Sequence, residues 1–342
     1  MKRPGRRSGG GDSGIALLVV LLTITLLTIV VIELTDKAQV ETHLALGARN
    51  ALQATYLARS GVNVGEALVS VDAMITPGRD ALDDFWARPY PPLPIGDGTA
   101  TFRVYDETRF LNINDLVGAN PEERFGRFRR LFTVLGIDLR VLAAIRDWLD
   151  GDHEPYPSPP GAEQPYYLGL RPPVIVRNGP VATLRELLMV KDVTPTVFAR
   201  LEGFVTALPA GSTKVNLNTA PPEVLYTLSQ DLLADRGVVE RLIASRGIEP
   251  FSTVSEACAN VTGLELAIPR CKQGDLITTN GSYFRIVGVG EVGQVRRGIT
   301  EVVKREGKRV TRVTWTPSNA NLALTSLPPS DFLATLPVFG DR

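Results

Sequence analysis

From Ile15 to Ile32 the chain runs through 18 residues without a charge, interrupted only by Thr23, Thr25 and Thr28. At about 1.5 Å per helical residue this matches the ~30 Å hydrocarbon core of a bilayer. A chain carrying such a run must lose it, bury it or leave it in lipid, and that choice governs everything after it. Lys2, Arg3, Arg6 and Arg7 precede the run and Glu33, Asp36 and Glu41 follow it. The excess of basic residues ahead of the run leaves the amino end in the cytoplasm and the bulk of the protein across the membrane. A secretory signal has a shorter apolar core followed closely by a small-x-small cleavage site. Here Glu33-Leu34-Thr35-Asp36 follows instead, and Ala45-Leu46-Gly47 is too distant.

Ser13-Gly14 stands immediately before the run, behind a short, basic, glycine-rich leader. This resembles the type IV prepilin signal, in which a dedicated peptidase cuts after the glycine on the cytoplasmic side and the hydrophobic helix is retained. The alternative on these residues alone is an ordinary single-pass anchor. Beyond the run the chain continues without proline from Leu34 to Thr76, with Leu57, Gly61, Val64, Leu68 and Val71 spaced four, three, four and three apart. The spacing predicts one amphipathic helix that emerges from the membrane and packs one face on a globular domain.

Pro89 to Pro94 reads as a connection, and Thr99 to Tyr105 as a half-buried strand in which Ala100, Phe102 and Val104 alternate with polar neighbours. Ser282 to Val289, Ile299 to Arg305 and Val310 to Trp315 read as further strands, with Glu306-Gly307-Lys308 as a turn. Between them, helix-start chemistry recurs: Asn120 with Pro121 and Glu122, Thr183 with Glu186, Thr194 with Pro195, Thr219 with Pro221 and Glu223, and Thr253 with Glu256. Phe125, Phe128, Phe132 and Leu135 share a face of the first such helix, which stops at Gly136. The expectation is an all-helical insertion of about one domain's length. Leu111-Asn112-Ile113-Asn114-Asp115 and Val215-Asn216-Leu217-Asn218-Thr219 echo each other within it, suggesting a duplication.

That Asn-rich opening also begins DNA-binding helix-hairpin-helix modules. The second copy lacks the glycine-rich hairpin, and acidic residues slightly outnumber basic ones across the insertion, so nucleic acid is not expected as a partner. The whole chain agrees, with 37 basic and 37 acidic residues among 342. Catalytic signatures are missing too. His153-Glu154-Pro155 is broken by proline with no second histidine nearby, and His43 reads as a surface residue. Gly288-Val289-Gly290-Glu291-Val292-Gly293 matches G-x-G-x-x-G, but it sits near the carboxyl end and no helix start follows. The chain is read as a non-enzyme.

Taken over nearly its full length, the sequence resembles the K-type minor pseudopilins of the bacterial type II (general) secretion pathway. The resemblance rests on the G-I-A-L-L-V-V-L-L junction at Gly14, the L-N-I-N-D-L and V-N-L-N-T-A-P segments, I-R-D-W-L-D-G-D-H-E-P with the later G-A-E-Q-P-Y-Y-L, and the helical insertion. It implies an α+β fold: a pilin-like long amino-terminal helix on a small antiparallel sheet, with a large SAM-like or helix-hairpin-like helical domain inserted between strands. The implied divisions are a leader over 1–14, a transmembrane part over 15–32, helix, connection and first strand over 33–110, the insertion over 111–280, and closing strands and tail over 281–342. It further implies cleavage between Gly14 and Ile15, N-methylation of Ile15, and residence in the inner membrane with the bulk periplasmic. The implied function is to initiate and cap a pseudopilus in a tip complex with the I-type and J-type minor pseudopilins. Prepilin peptidase and the inner-membrane secretion platform are implied partners, with the secretin or exported proteins as further candidates. A minor pilin of a surface type IV pilus and a plain membrane-anchored periplasmic binding or enzymatic protein are the alternatives.

One departure from the general prepilin pattern is informative. With Ile15 as the mature terminus the fifth position is Val19, where most pilins carry Glu. A carboxylate in hydrocarbon persists only with a partner, here the amine of a subunit above. The K-type family shares the lack, consistent with a subunit that has no neighbour above it.

Asp147, Asp150, Asp152 and Glu154 cluster at a helix end, and Glu163 follows a Pro-rich loop. Closely spaced oxygen ligands of irregular geometry suit calcium, although the spacing is not an EF-hand and a solvated acidic loop is the alternative. The resemblance, which associates calcium with the helical domain, favours the metal. Cys258 and Cys271 are the only cysteines and lie on the oxidising side of the membrane, so a disulfide is expected.

Overall fold

The computed structural model describes residues 12–118, 121–211 and 214–319; the basic leader residues ahead of Asp12, the cap expected at Asn120 and the tail beyond 319 lie outside the described residues. Helix α1 (Asp12–Ile75) is unbroken over 64 residues. Within the apolar run the hydroxyls of Thr23, Thr25 and Thr28 donate back to the carbonyls of Val19, Leu21 and Ile24 at 2.6, 3.0 and 2.8 Å, so each finds a partner within the helix. From Gly14 to Leu46 the helix is exposed along its whole circumference. One long, apolar amino-terminal helix of this kind is consistent with a single-pass membrane anchor.

Past residue 50 one face of α1 packs on a sheet of five antiparallel strands, in the order β1 (Leu93–Ile95), β2 (Gly98–Asp106), β7 (Tyr283–Val292), β8 (Val295–Glu306) and β9 (Arg309–Ser318), with β3 to β6 lying in the insertion described below. The alternation in β2 holds, with Ala100, Phe102 and Val104 buried. A short strand, β1, occupies the stretch expected to be mere connection. Pro94 fits there because an edge strand has N–H positions that no partner needs. The packed face of α1 differs from the expectation by about one position. Leu57 and Gly61 belong to it, but Val64 and Val71 are 37% and 42% exposed, while Ala54, Ala58, Gly65 and Val69 are buried. Small residues line the true face because helix and sheet backbones nearly touch.

The glycines of β7 make that approach possible. A Cβ on Gly290 would lie 1.9 Å from the Ala54 carbonyl oxygen, and one on Gly288 would lie 2.1 Å from that of Ala58. Gly293, at φ +57°, forms the β7–β8 turn. The G-x-G-x-x-G match is therefore a helix-packing groove ending in a hairpin turn. The contacts also fix direction. Gly290 meets Ala54 and Gly65 meets Ile286, so β7 runs antiparallel to α1 and begins at the end of the sheet farthest from the apolar run.

The insertion leaves and re-enters at that far end, where Asp106 and Phe284 are cross-strand partners. It consists of two similar units. The first is framed by β3 (Leu111–Asn112) paired in parallel with β4 (Val205–Thr206), and encloses α2 (Pro121–Leu135), α3 (Leu139–Leu149), α4 (Gln164–Leu168) and α5 (Pro195–Leu201). The second is framed by β5 (Val215–Asn216) paired in parallel with β6 (Ile277–Thr278), and encloses α6 (Pro222–Leu225), α7 (Gln230–Ala234), α8 (Arg236–Ile248), α9 (Val254–Asn260) and α10 (Leu264–Ala267). The Asn114 amide accepts from Val181 N–H at 2.8 Å and donates to its carbonyl at 2.9 Å; Asn218 does the same to Phe251, at 2.9 Å both ways. In each unit a Glu four residues downstream of a clamp neighbour reaches back, Glu186 to Ala182 N–H and Glu256 to Ser252 N–H, both at 2.8 Å. The echoed Asn segments and the Thr–Glu pairs Thr183–Glu186, a capping box, and Thr253–Glu256, a side-chain cap, occupy matching places in the two units, and a single hydrophobic core runs through both.

Thr219 departs from its expected capping role. Its hydroxyl donates to Asp106 Oδ2 at 2.6 Å, joined there by Asn216 Nδ2 at 2.9 Å, while α6 starts at Pro222 without a side-chain cap. Glu107 adds an ion pair to Arg285 at 2.8 Å and a hydrogen bond from Thr206. The last residue of β2 and its neighbour thus fasten both units to the sheet.

Candidate functional site

The acidic cluster sits where α3 ends. Asp138 caps the start of this helix by accepting from Arg140 N–H at 2.8 Å, and Val141, Leu142, Ile145 and Leu149 bury its apolar face, which carries Asp147 inward. Asp147 is fully buried, and its carboxylate accepts from Tyr156 N–H at 3.0 and 3.2 Å. Its task is to fold the Pro-rich loop back over the helix. The loop passes so close that a Cβ on Gly161 would fall 2.0 Å from Asp147 Oδ2. This return delivers Glu163 to the helix end.

There, carboxylate oxygens of Asp150, Asp152 and Glu163 lie within 4.8 Å of one another. Glu154 is exposed and stands outside this group, its N–H donating to Asp152 Oδ1 at 2.9 Å. Glu163 is buried, and neither of its oxygens has a well-formed hydrogen bond; Asp150 Oδ1 is likewise without a partner. Desolvation, reinforced by the charges of Asp147 and Asp150, pushes Glu163 up to about 7. Desolvation with Asp152 and Asp147 nearby pushes Asp150 up to about 6. Three convergent carboxylates, two of them with orphaned oxygens, form an all-oxygen cradle that fits a hard divalent cation.

At the other end of the molecule Gly14, Ile15 and Val19 lie on the exposed part of α1. His43 is exposed on the same helix, and His153 is exposed, its ring nitrogen 3.0 Å from Asn178 Nδ2. Cys258 on α9 is bonded to Cys271 with their Cα atoms 6.1 Å apart, tying α9 to the segment after α10. The sequence reading did not single out the contact between Asp106 and the Asn216–Thr219 segment. The echoed motif marked Asn216, but a lone Asp at a strand end carries no signal until its partners are in place.

A family model described as Type II secretion system (T2SS), protein K matches residues 109–210, and a second model of the same description matches residues 215–271. The two matches coincide with the two units of the insertion. The chain is 29% identical to the type II secretion system protein K of Aeromonas hydrophila, over 88% of this chain and 94% of the relative. It is 28% identical to that of Pseudomonas aeruginosa, over 86% and 89%. A chain in the crystal structure of the GspK-GspI-GspJ complex from the enterotoxigenic Escherichia coli type 2 secretion system superposes with a TM-score of 0.68 at 17% identity, covering 82% of this chain and 99% of that one.

Proposed function

Since the chain belongs to the type II secretion system protein K family and is a minor pseudopilin, we propose that it initiates the periplasmic pseudopilus and remains at its tip, in the service of protein export across the outer membrane. The observation that carries this reading is the position of the insertion at the sheet end farthest from the apolar run, where Asp106 and Phe284 pair. In a shaft of parallel pilin helices, a subunit above would need the space the insertion fills. The side chain at the fifth position after Gly14 gives a second, independent support. Val19 carries no charge, so it offers nothing to the amine of a subunit above, whereas Ile15, once freed, presents an amine to the subunit below.

The E. coli chain of similar fold was crystallised in a complex with GspI and GspJ, which supports I-type and J-type minor pseudopilins as companions. The charge asymmetry about the apolar run supports inner-membrane insertion with the bulk periplasmic. Ser13-Gly14 before the run supports processing by prepilin peptidase, giving Ile15 as an N-methylated terminus. Asp150, Asp152 and Glu163 are proposed to hold calcium, which would neutralise their charge and pin the loop after α3.

End-specific labelling tests the function. Antibody or gold label directed at this chain in overproduced fibres should mark one end only, and regular labelling along the shaft would refute the tip position. Mass spectrometry of the membrane-extracted protein should return Ile15 as first residue. An intact Met1 terminus in cells with active prepilin peptidase would refute the processing.

A further inference from the structure

A second group of carboxylates lies far along the sequence from the α3 loop, where α1 ends. Asp72 on the last turns of α1, and Asp80 and Asp84 on the chain that follows, each place an oxygen within 4.8 Å of the others. They are 1%, 0% and 5% exposed, so the group is buried more deeply than the loop cluster. Asp80 lies on the seam between stem and insertion. Its N–H donates to the Thr279 carbonyl at 2.8 Å, and its carbonyl accepts from Asn216 Nδ2 at 3.1 Å.

The hydrogen bonds leave two oxygens over. Asp72 Oδ2 accepts from the Thr76 hydroxyl at 3.2 Å, and Asp84 Oδ2 from Ala81 N–H at 2.7 Å. Asp80 Oδ2 accepts from Gly281 N–H at 2.7 Å and from Arg305. Asp72 Oδ1 and Asp80 Oδ1 have no partner. A buried, ionised oxygen without a partner costs stability.

The local cations do not remove the excess. Arg305 is committed: besides Asp80 it donates to Asn280 Oδ1 at 2.7 Å and the Gly281 carbonyl at 3.0 Å, and its guanidinium lies 4.7 Å from the Phe284 ring centroid. Arg79 pairs with Asp84 at 3.3 Å and Asp83 at 3.9 Å, and its partly exposed side chain is free to turn outward. Three acids face these two bases, and Asp106 stands close enough to act on Asp80 as a further negative charge.

We propose that Asp72, Asp80 and Asp84 form a divalent-cation site, distinct from the α3 loop, that locks the end of the pilin helix to the segment following it, beside the seam with the helical insertion. All the donors are hard oxygens, with no imidazole or thiolate among the three, which selects calcium or magnesium over zinc. Calcium at about 2.3–2.6 Å from each oxygen spans opposite ligands about 5 Å apart, so it bridges this group as it stands; magnesium at about 2.1 Å needs a tighter octahedron. The ion takes the two orphaned oxygens and displaces Arg79 toward solvent.

The test is calcium titration calorimetry on the full chain in detergent, after chelator treatment, in a Glu163→Gln background that disables the loop cluster. One equivalent of calcium should still bind, and adding Asp72→Asn should remove it or weaken it at least tenfold. Absence of binding in Glu163→Gln, or binding unchanged by Asp72→Asn, overturns the proposal. Calcium binding to the wild-type chain that Glu163→Gln abolishes leaves the loop site standing and sinks only this one. Terbium gives a check that survives a misfolded variant. In the Glu163→Gln chain, Trp86, two residues beyond Asp84, should sensitise terbium emission. Calcium should quench that emission by competition, and Trp86→Phe should remove it; emission unaffected by Trp86→Phe counts against the site.

Discussion

Replacing Gly290 by alanine probes the contact that gives the stem its shape. The new Cβ would stand 1.9 Å from Ala54 O, 2.6 Å from Ala58 N and 2.8 Å from Leu57 Cβ. Two of these atoms are helix backbone, so no rotamer change relieves the overlap. Restoring ordinary van der Waals distance requires α1 to retreat by about 1.5 Å, and a gap of even 0.5–1 Å forfeits about a quarter to a half of each contact it opens. Over-packing of a core costs about 1–3 kcal/mol when side chains can adjust, and the rigid backbone here puts the expected loss at about 3 kcal/mol or more. Gly293→Ala is the control: its nearest neighbour is Asn50 Nδ2 at 3.8 Å, and only the positive φ is penalised. That change should cost about 1 kcal/mol. Urea unfolding of the full chain in detergent, followed by tryptophan fluorescence in a Trp148→Phe, Trp315→Phe background that leaves Trp86 of the stem core as reporter, measures both. A Gly290→Ala protein within about 0.5 kcal/mol of wild type would refute the close-approach reading.

Three other outcomes follow from the structure. Glu66 on α1 is pushed up to about 7 by desolvation and by its hydrogen bond and charge contact with buried Glu301 on β8, with Arg312 of β9 and Arg59 of α1 opposing. Between pH 4.5 and about 7 the folded chain therefore holds a proton that the unfolded chain has released. This stabilisation is full below the unfolded value and lost as pH rises through about 7, by about 1 kcal/mol after discounting for solvent screening. Glu66→Gln should flatten that slope in thermal melts across this range, and an unchanged slope would exclude the pair as its source. Reducing Cys258–Cys271, which closes a loop of sequence separation 13, should lower stability by about 3 kcal/mol in matched urea titrations. Chelation should lower the melting temperature of the wild-type chain, and calcium at 100 times its dissociation constant should restore about 2.7 kcal/mol per site; a temperature indifferent to chelator would refute metal binding at the α3 loop.

Much of this was legible in the sequence wherever the signal is local and repeats. The period-two pattern of Ala100, Phe102 and Val104 and the long proline-free stretch to Thr76 report their elements directly. So do the capping pairs Thr183–Glu186 and Thr253–Glu256. The four-three spacing of Leu57, Gly61, Val64, Leu68 and Val71 finds the side of α1 that packs but drifts off it at Val64 and Val71. At a helix–sheet contact this close, the buried positions are the small ones, and Val64 and Val71 point outward. In the acidic loop the neighbours Asp150 and Asp152 were visible as a cluster, and Glu163 joins them because Gly161 lets the loop cross Asp147. Nothing in the spacing distinguished Glu154, which stays in solvent, from its neighbours. Asp72 reads as one polar residue on an amphipathic helix and Asp80 and Asp84 as turn residues, so their convergence appears only once the helix has ended and the chain has doubled back.

The pairing of Asp106 with Phe284 joins strands far apart in the chain, which bears on how the stem is completed. Strand β2 is synthesised long before β7, and until β7 arrives its hydrogen-bonding edge is open to any other strand. A disordered connection spanning the whole insertion would make that pairing a slow, non-local event. Once the two helical units have closed around their common core, the same connection presents its ends side by side, and β2 meets β7 much as the arms of a hairpin meet across a turn. A folded insertion would thereby hold the two strand ends in register for pairing. Lesions in the buried core around Phe132, Trp148 or Val215 should therefore surface first as aggregation of unpaired stem strands, before any defect in fibre assembly is seen.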